Sequence, residues 1–304
     1  MPLTLAVYAM GTRFELVLDG ASDPSLRAIG EEALREIMHW HQRLSAFERD
    51  SVVSQFNREA ADRPVRVEPE ILDLLTLCRE VWEATGGAFD PAVGAAMQRL
   101  GFHPQDTSVT APASPATFAD ILLDPAALTV RFTRPGLRLD LGAIAKGWAL
   151  DRAADILRGH AVTSALLHGG TSSIIAIGSP SGQASWRVAI QGATGASLAV
   201  DLADAALGVS APRGRTIEAG GHILDPRTGR PTAAATTAAV IAESAALADV
   251  WSTALVVLGA RPVGGTMPAQ MTSIIESDSA QWAVVGPSGS ACRVTRRTQE
   301  AGAA

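Results

Sequence analysis

Three stretches of the chain carry residue types able to act on a phosphorylated ligand. In Arg138-Leu139-Asp140-Leu141-Gly142-Ala143-Ile144-Ala145-Lys146-Gly147-Trp148-Ala149-Leu150-Asp151, a strand ending in Asp140 meets a Gly turn, then Lys146 and a helix. Glycines let backbone approach closely, amides at a helix start face an anion, and Lys146 adds positive charge within the first turn. The second stretch is Ala248-Asp249-Val250-Trp251-Ser252-Thr253-Ala254-Leu255, where Asp249 and Thr253 stand four apart and share one helix face. A solvated Asp, with the Thr bonded back to its own helix, is the plain account of such a pair. Against it, Ala248, Val250, Trp251, Ala254, Leu255 and Val256 make this helix apolar nearly all round, and a buried Asp needs a partner. A carboxylate, a hydroxyl and a backbone carbonyl form the incomplete oxygen shell that Mg²⁺ accepts when phosphates and water complete it; Mn²⁺ accepts the same oxygens. The third stretch runs from Gly221 to Pro231. Asp225-Pro226 and Thr228-Gly229 explain a turn there, but not His222, which is either a satisfied core histidine or a general base.

The elements that must position these residues are legible from period and caps. Leu3, Leu5 and Val7 alternate, as do Phe14, Leu16 and Leu18, predicting strands on either side of Met10-Gly11-Thr12. Asp23-Pro24 opens a helix carrying Leu26, Ile29, Ala33, Ile37, Trp40 and Leu44 on one face. A second helix starts near Glu68-Pro69 and stops at Thr85-Gly86-Gly87. Residues 104–125, rich in Pro, Ala, Ser and Thr, read as a surface excursion. Strands are expected over Leu128–Leu141 and Val162–Val200, separated by a helix over Ala145–Leu157 that Gly159 closes. A last helix spans Ser244–Leu258 and ends at Gly259. Strands mixed with few, separated helices predict an α+β fold, and no solenoid repeat is present. Trp148 and Trp251, on apolar helices, read as packing residues.

With 304 residues, 47% of them hydrophobic and 18% charged, the chain can bury a large core, and only its Ala/Gly-rich C-terminal end, about 297–304, reads as flexible. A net charge of −6 without a basic stripe argues against a nucleic-acid partner. The six His and two Cys lack zinc-ligand spacing, and Cys78 and Cys292 read as reduced or incidental. No apolar run is long enough to span a bilayer and no signal-peptide pattern opens the chain, so cytoplasmic residence is expected with the start as given.

Taken in order, these motifs resemble the ApbE-type FAD:protein FMN transferases over nearly the whole chain. The resemblance rests on Met10-Gly11-Thr12; on Leu44-Ser45-Ala46-Phe47 with Asp50-Ser51-Val52-Val53-Ser54 and Asn57; and on Thr85-Gly86-Gly87-Ala88-Phe89-Asp90-Pro91. It continues through Asp140 to Asp151, His222-Ile223-Leu224-Asp225-Pro226-Arg227-Thr228-Gly229, and Ala248-Asp249 with Thr253-Ala254-Leu255. What it implies is a single domain over 1–304, α+β, built as two related β-rich halves in a T-fold-like duplication with the flavin cleft between them. It implies Mg²⁺-dependent transfer of FMN from FAD to a Thr or Ser hydroxyl of an acceptor flavoprotein, with AMP released. An acceptor of this kind carries a Ser/Thr-Gly-Ala-Ser/Thr type motif. By position, Met10, Phe47, Ala88, Phe89, Asp90, Asp140 and Lys146 would line the FAD site. The backbone carbonyl of Ala143 and the side chains of Asp249 and Thr253 would hold Mg²⁺, and His222 would be the base. Taken singly, Met10 and Phe47 also suit a core, and Asp90 before Pro91 suits a turn or cap.

Two departures from the family pattern stand out. His168-Gly169-Gly170-Thr171 replaces the usual Asn-x-Gly-Gly-Asp, removing a carboxylate, and Ser210-Ala211-Pro212-Arg213 replaces a Ser-Thr-Ser-Gly turn. Arg213 or Arg215 would compensate by reaching phosphate, which mutating either would test through FAD affinity. An FAD-binding protein without transfer, and a metal-dependent FAD pyrophosphatase yielding FMN and AMP, are the alternative readings. Gln191-Gly192-Ala193-Thr194-Gly195-Ala196-Ser197 is similar to an acceptor sequence, which would make Ser197 a self-modification site; the plain reading is a hairpin loop.

Overall fold

The N-terminal alternation folds into a hairpin: β1 (Leu3–Ala9) and β2 (Thr12–Leu18) pair antiparallel, and the turn between them holds Met10 at φ 48° and Gly11 at φ 73°. Two-residue hairpins favour positive φ at both turn positions, and a non-glycine there costs about 1–2 kcal/mol. The computed structural model describes residues 2–20, 24–103, 115–193, 195, 197–214, 216–217, 220–264, 266–279, 281–287 and 294–296. After the hairpin come α1 (Pro24–Leu44), α2 (Val52–Glu59), β3 (Val65–Arg66), α3 (Pro69–Ala84), α4 (Gly94–Arg99), β4 (Ile121–Asp124), β5 (Thr129–Phe132) and α5 (Ala145–Gly159). The strands β6 (Ala165–Gly169), β7 (Ser173–Ile177), β8 (Trp186–Gln191), β9 (Ser197–Leu202) and β10 (Ala206–Ser210) follow. Short pairs β11 (Thr216–Ile217) with β12 (Gly220–Gly221), and β13 (Leu224–Asp225) with β14 (Arg230–Pro231), lead to β15 (Thr237–Ala242). The chain continues with α6 (Ala245–Leu258), β16 (Thr272–Glu276), β17 (Trp282–Val285) and β18 (Val294–Arg296).

One eight-stranded antiparallel sheet organises the molecule, in the order β1-β2-β6-β7-β10-β15-β16-β17. Helices α1, α5 and α6 cover one face, and the small sheet β18-β9-β8 covers the other over β7, β10, β15 and β16. This double covering explains why β7, β15 and β16 are buried at every position, whereas β1 and β2 alternate. Along β7, Ile175 and Ile177 join the helix-side core while Ile174 and Ala176 join the core beneath the small sheet. The mixed helix and sheet class therefore agrees with the α+β expectation, and among the described residues no helix is long and apolar enough to cross a membrane.

Several boundaries differ from the sequence expectation. The alternation over Leu128–Leu141 is strand only at Thr129–Phe132. Leu137, Leu139 and Leu141 are buried without a ladder, because the Asn57 side chain takes both backbone groups of Leu139, at 2.7 and 3.1 Å, and Asp140 N–H donates to Pro91 O. Helix α5 runs through Gly159, and Ala161, at φ 57°, takes the left-handed position instead. Val162 N–H donates to Leu157 O and Ala161 N–H to Arg158 O, the paired bonds of a Schellman closure. Of the expected excursion over 104–125, residues 104–114 lie outside the described residues, but Phe118 and Ile121 are buried and β4 pairs with β5. Apolar residues at those positions outweigh the loop-like composition around them. Cys292, Arg215 and the C-terminal end over 297–304 also lie outside the described residues, whereas Cys78 is a free, buried thiol.

The N-termini of α5 and α6 interlock. Asp151 of α5 accepts the Ala245 and Ala246 amides at 2.7 and 2.9 Å, while Asp249 of α6 accepts the Gly147 amide at 2.8 Å. Burial lifts the Asp151 carboxyl to about 6, against the pull of the two amides. Asp151→Ala is expected to cost about 2 kcal/mol of folding free energy, since it orphans two buried N–H groups. Because the folded pKa lies above the unfolded 3.8, the carboxyl's contribution is full below about pH 4 and is lost as pH rises through about 6. Urea unfolding should therefore show a larger penalty at pH 4 than at pH 7; a penalty that grows with pH contradicts this account.

Candidate functional site

The ends of these elements enclose a cleft of about 1080 Å³, and Met10, Phe47, Ala88, Phe89, Asp90, Asp140, Ala143, Lys146, His222, Asp249 and Thr253 all line it. Residues far apart in sequence converge there because the β1–β2 turn, the α5 start, the β10 end and the α6 face meet at one end of the strands. Thr171, Ala211 and Arg213, at the altered positions, line the same space.

At its floor, Asp249 is 5% exposed, and Ser173 donates its hydroxyl to both carboxylate oxygens, at 2.8 and 2.9 Å. Burial pushes the Asp249 carboxyl up to about 7, opposed by the Lys146 charge, the Ser173 hydroxyl and the Gly147 amide. One turn on, Thr253 Oγ1 lies 3.1 Å from Ser210 Oγ, which in turn lies 2.8 Å from Ser252 Oγ. The first-turn amide of Gly147 thus faces an anion, as the sequence suggests, but that anion is the protein's own Asp249. Asp249 and Thr253 with the Ala143 backbone present oxygen donors only, the set that suits Mg²⁺ rather than zinc; among the described residues no cluster of three or more His, Cys, Asp or Glu forms a metal site by itself.

Around the mouth the assignments divide. Phe47 is not core: it is 60% exposed, with its ring centroid 5.0 Å from that of His103. Asp140 accepts the Gly142 amide at 2.7 Å and pairs with His103 Nε2 at 3.1 Å. Asp90 is a buried turn former rather than a cap, accepting Ala92 N–H and Phe118 N–H at 2.8 and 3.0 Å, and burial lifts it to about 6. Met10 donates its N–H to His41 Nδ1 at 3.2 Å. Arg213 donates to Ala193 O at 3.1 Å, and Ala193 N–H donates to the buried carboxylate of Glu276 at 2.8 Å, fixing the β8–β9 hairpin as one wall. Ser197 stands in β9 opposite Gln191, the hairpin of the plain reading; Thr194 and Ala196 lie outside the described residues. Trp148 and Trp251 pack as expected, Trp148 edge-on to Trp40 at 5.7 Å. Sequence reasoning missed His103, Ser173 and Glu276, which stand where apolar runs meet polar ones, with no motif spacing to mark them.

A large cleft lined by polar and apolar residues at the ends of a stacked antiparallel sheet makes this an α+β protein with one candidate site. Residues 10–270 match the ApbE family, and the chain belongs to that family. An FAD:protein FMN transferase of Rhodobacter capsulatus is 33% identical over 271 residues, covering 83% of this chain and 50% of that protein. One from Treponema pallidum is 31% identical, covering 75% and 71%, and one from Klebsiella pneumoniae is 28% identical, covering 82% and 77%. The chain thus spans half the length of the Rhodobacter relative and about three quarters of the other two. The solved ApbE protein of Thermotoga maritima superposes with a TM-score of 0.80 at 25% identity, covering 94% of this chain and 97% of that one. The flavin transferase ApbE of Vibrio cholerae shares the fold, at 0.78 and 24% identity, over 95% and 97%.

Proposed function

We propose that this protein transfers FMN from FAD to a Ser or Thr hydroxyl of an acceptor protein and releases AMP. The carrying observation is that the family's motif positions, scattered from Met10 to Thr253, line one cleft with Lys146 and Asp249 close enough to interact electrostatically. In this reading the acceptor oxygen attacks the phosphorus attached to riboflavin, the bond from that phosphorus to the AMP oxygen breaks, and His222 takes the hydroxyl proton. Phosphoryl transfer is catalysed mostly by positioning and charge neutralisation, and Lys146 supplies one fixed positive charge beside the phosphates. A Mg²⁺ held by the Ala143 carbonyl, Asp249 and Thr253 would supply the remaining neutralisation. Met10, Phe47, Ala88, Phe89 and Asp140 enclose and orient FAD, while Asp90 acts through the two backbone amides it holds.

The test is AMP release from FAD and Mg²⁺, with and without a peptide carrying a Ser/Thr-Gly-Ala-Ser/Thr type motif. Acceptor-dependent AMP that falls by about 10²-fold or more in His222→Ala, with FAD affinity held, supports the transferase and the base. AMP without acceptor makes the protein a pyrophosphatase, and FAD binding without AMP makes it a flavin-binding relative.

A further inference from the structure

We infer that Ser173 is a positioning residue that, together with the Gly147 amide, holds the rotation of the Asp249 carboxylate for the cation, an inference that rests on the metal reading above. Ser173 is wholly buried at the start of β7, on the helix-side face shared with Ile175 and Ile177, and its in-register neighbours are Gly169 and Gly208. An alanine would fill that place in an apolar layer equally well, so packing alone gives no reason for a hydroxyl.

The hydroxyl has one proton, and it straddles Asp249 at 2.8 Å to Oδ1 and 2.9 Å to Oδ2. Gly147 N–H adds a second donor, at 2.8 Å, to Oδ2 alone. A carboxylate oxygen accepts about two hydrogen bonds, so the one Ser173 proton and the Gly147 N–H hold the carboxylate while leaving it acceptor directions for a cation. The two donors come from different elements, β7 and α5, and together they fix the rotation of the carboxylate on α6. Gly147 contributes a backbone group that no substitution removes cleanly, so Ser173 is the side chain through which the orientation is set. Groups that orient a metal ligand typically change metal affinity by about 10–100-fold when removed.

The experiment is Mn²⁺ titration, followed by electron paramagnetic resonance, into the full chain and its Ser173→Ala, Ser173→Cys and Asp249→Ala variants, with thermal unfolding alongside. Expected is Mn²⁺ affinity lost in Asp249→Ala, weakened about 10-fold or more in Ser173→Ala, and intermediate in Ser173→Cys, which keeps the size and a weak donor. AMP release by Ser173→Ala should recover as Mg²⁺ is raised, because the defect lies in affinity. A Ser173→Ala protein that melts earlier but binds Mn²⁺ as tightly as wild type overturns the inference and leaves the metal reading standing; if that variant does not fold, Ser173→Cys with wild-type affinity does the same. Mn²⁺ binding unaffected by Asp249→Ala removes both.

Discussion

Asp249→Asn should lower FAD-dependent AMP release by about 10³-fold, equivalent to roughly 4 kcal/mol of barrier, while leaving the metal-free fold at least as stable as wild type. The two halves of that expectation have one cause. Asp249 is all but inaccessible, and burial pushes its carboxyl up to about 7 even with Lys146, Ser173 and Gly147 favouring the charged form. A buried anion without a full set of partners is a cost to the fold, retained where function needs the charge. The amide of Asn keeps the shape and one acceptor oxygen but cannot neutralise a cation. HPLC quantification of AMP and urea unfolding at pH 8 without metal separate the two effects. Wild-type turnover in the Asn variant would remove Asp249 from the chemistry, and a large loss of metal-free stability would make it a structural residue instead.

Local signals survived folding well. The last helix falls where the sequence predicts it, with Gly259, at φ 70°, closing it, and Ser244 turns out to be its cap, accepting Leu247 N–H. Pro69 sits in the first turn of α3. What failed was wherever a distant partner replaced a local one. Leu137, Leu139 and Leu141 alternate like a strand, yet Leu139's partner is the Asn57 side chain, 82 residues away. Gly159 looks like a terminator, but the helix runs two residues past Leu157 to include it, and Ala161 takes the left-handed position that closes it. Helices α2 and α4 are short, at 8 and 6 residues, too brief for a period to declare itself. For the site, physics alone could say only that Asp249 needs a partner. That its partners are Gly147 and Ser173, 102 and 76 residues distant, depends on the sheet order, which no local pattern encodes.

The same long-range geometry makes two glycines of one helix respond oppositely to the same change. A Cβ on Gly147 would stand 2.2 Å from Ala245 O, 2.4 Å from Ala245 C and 2.6 Å from Ala246 N. Those atoms are backbone of the first turn of α6, whose amides are also held by Asp151 one turn along α5, so they cannot swing aside as a side-chain tip would. Helix propensity favours Ala over Gly by about 1 kcal/mol, but overpacking against backbone costs about 1–3 kcal/mol or more, so the clash wins. Gly147→Ala should therefore lose about 2 kcal/mol of stability. It should also lose activity by about 10²-fold, because separating α5 from α6 moves Lys146 away from Asp249, and a displacement near 1 Å is enough for that. Gly159→Ala is the control on the same helix: a Cβ there meets nothing within 4 Å, and its φ is not positive, so it should gain about 0.5–1 kcal/mol with activity unchanged. Urea unfolding of both variants should give opposite signs. If both stabilise, the α5–α6 contact at Gly147 is slack, and the interlock cannot be what sets the distance between Lys146 and the Asp249 carboxylate.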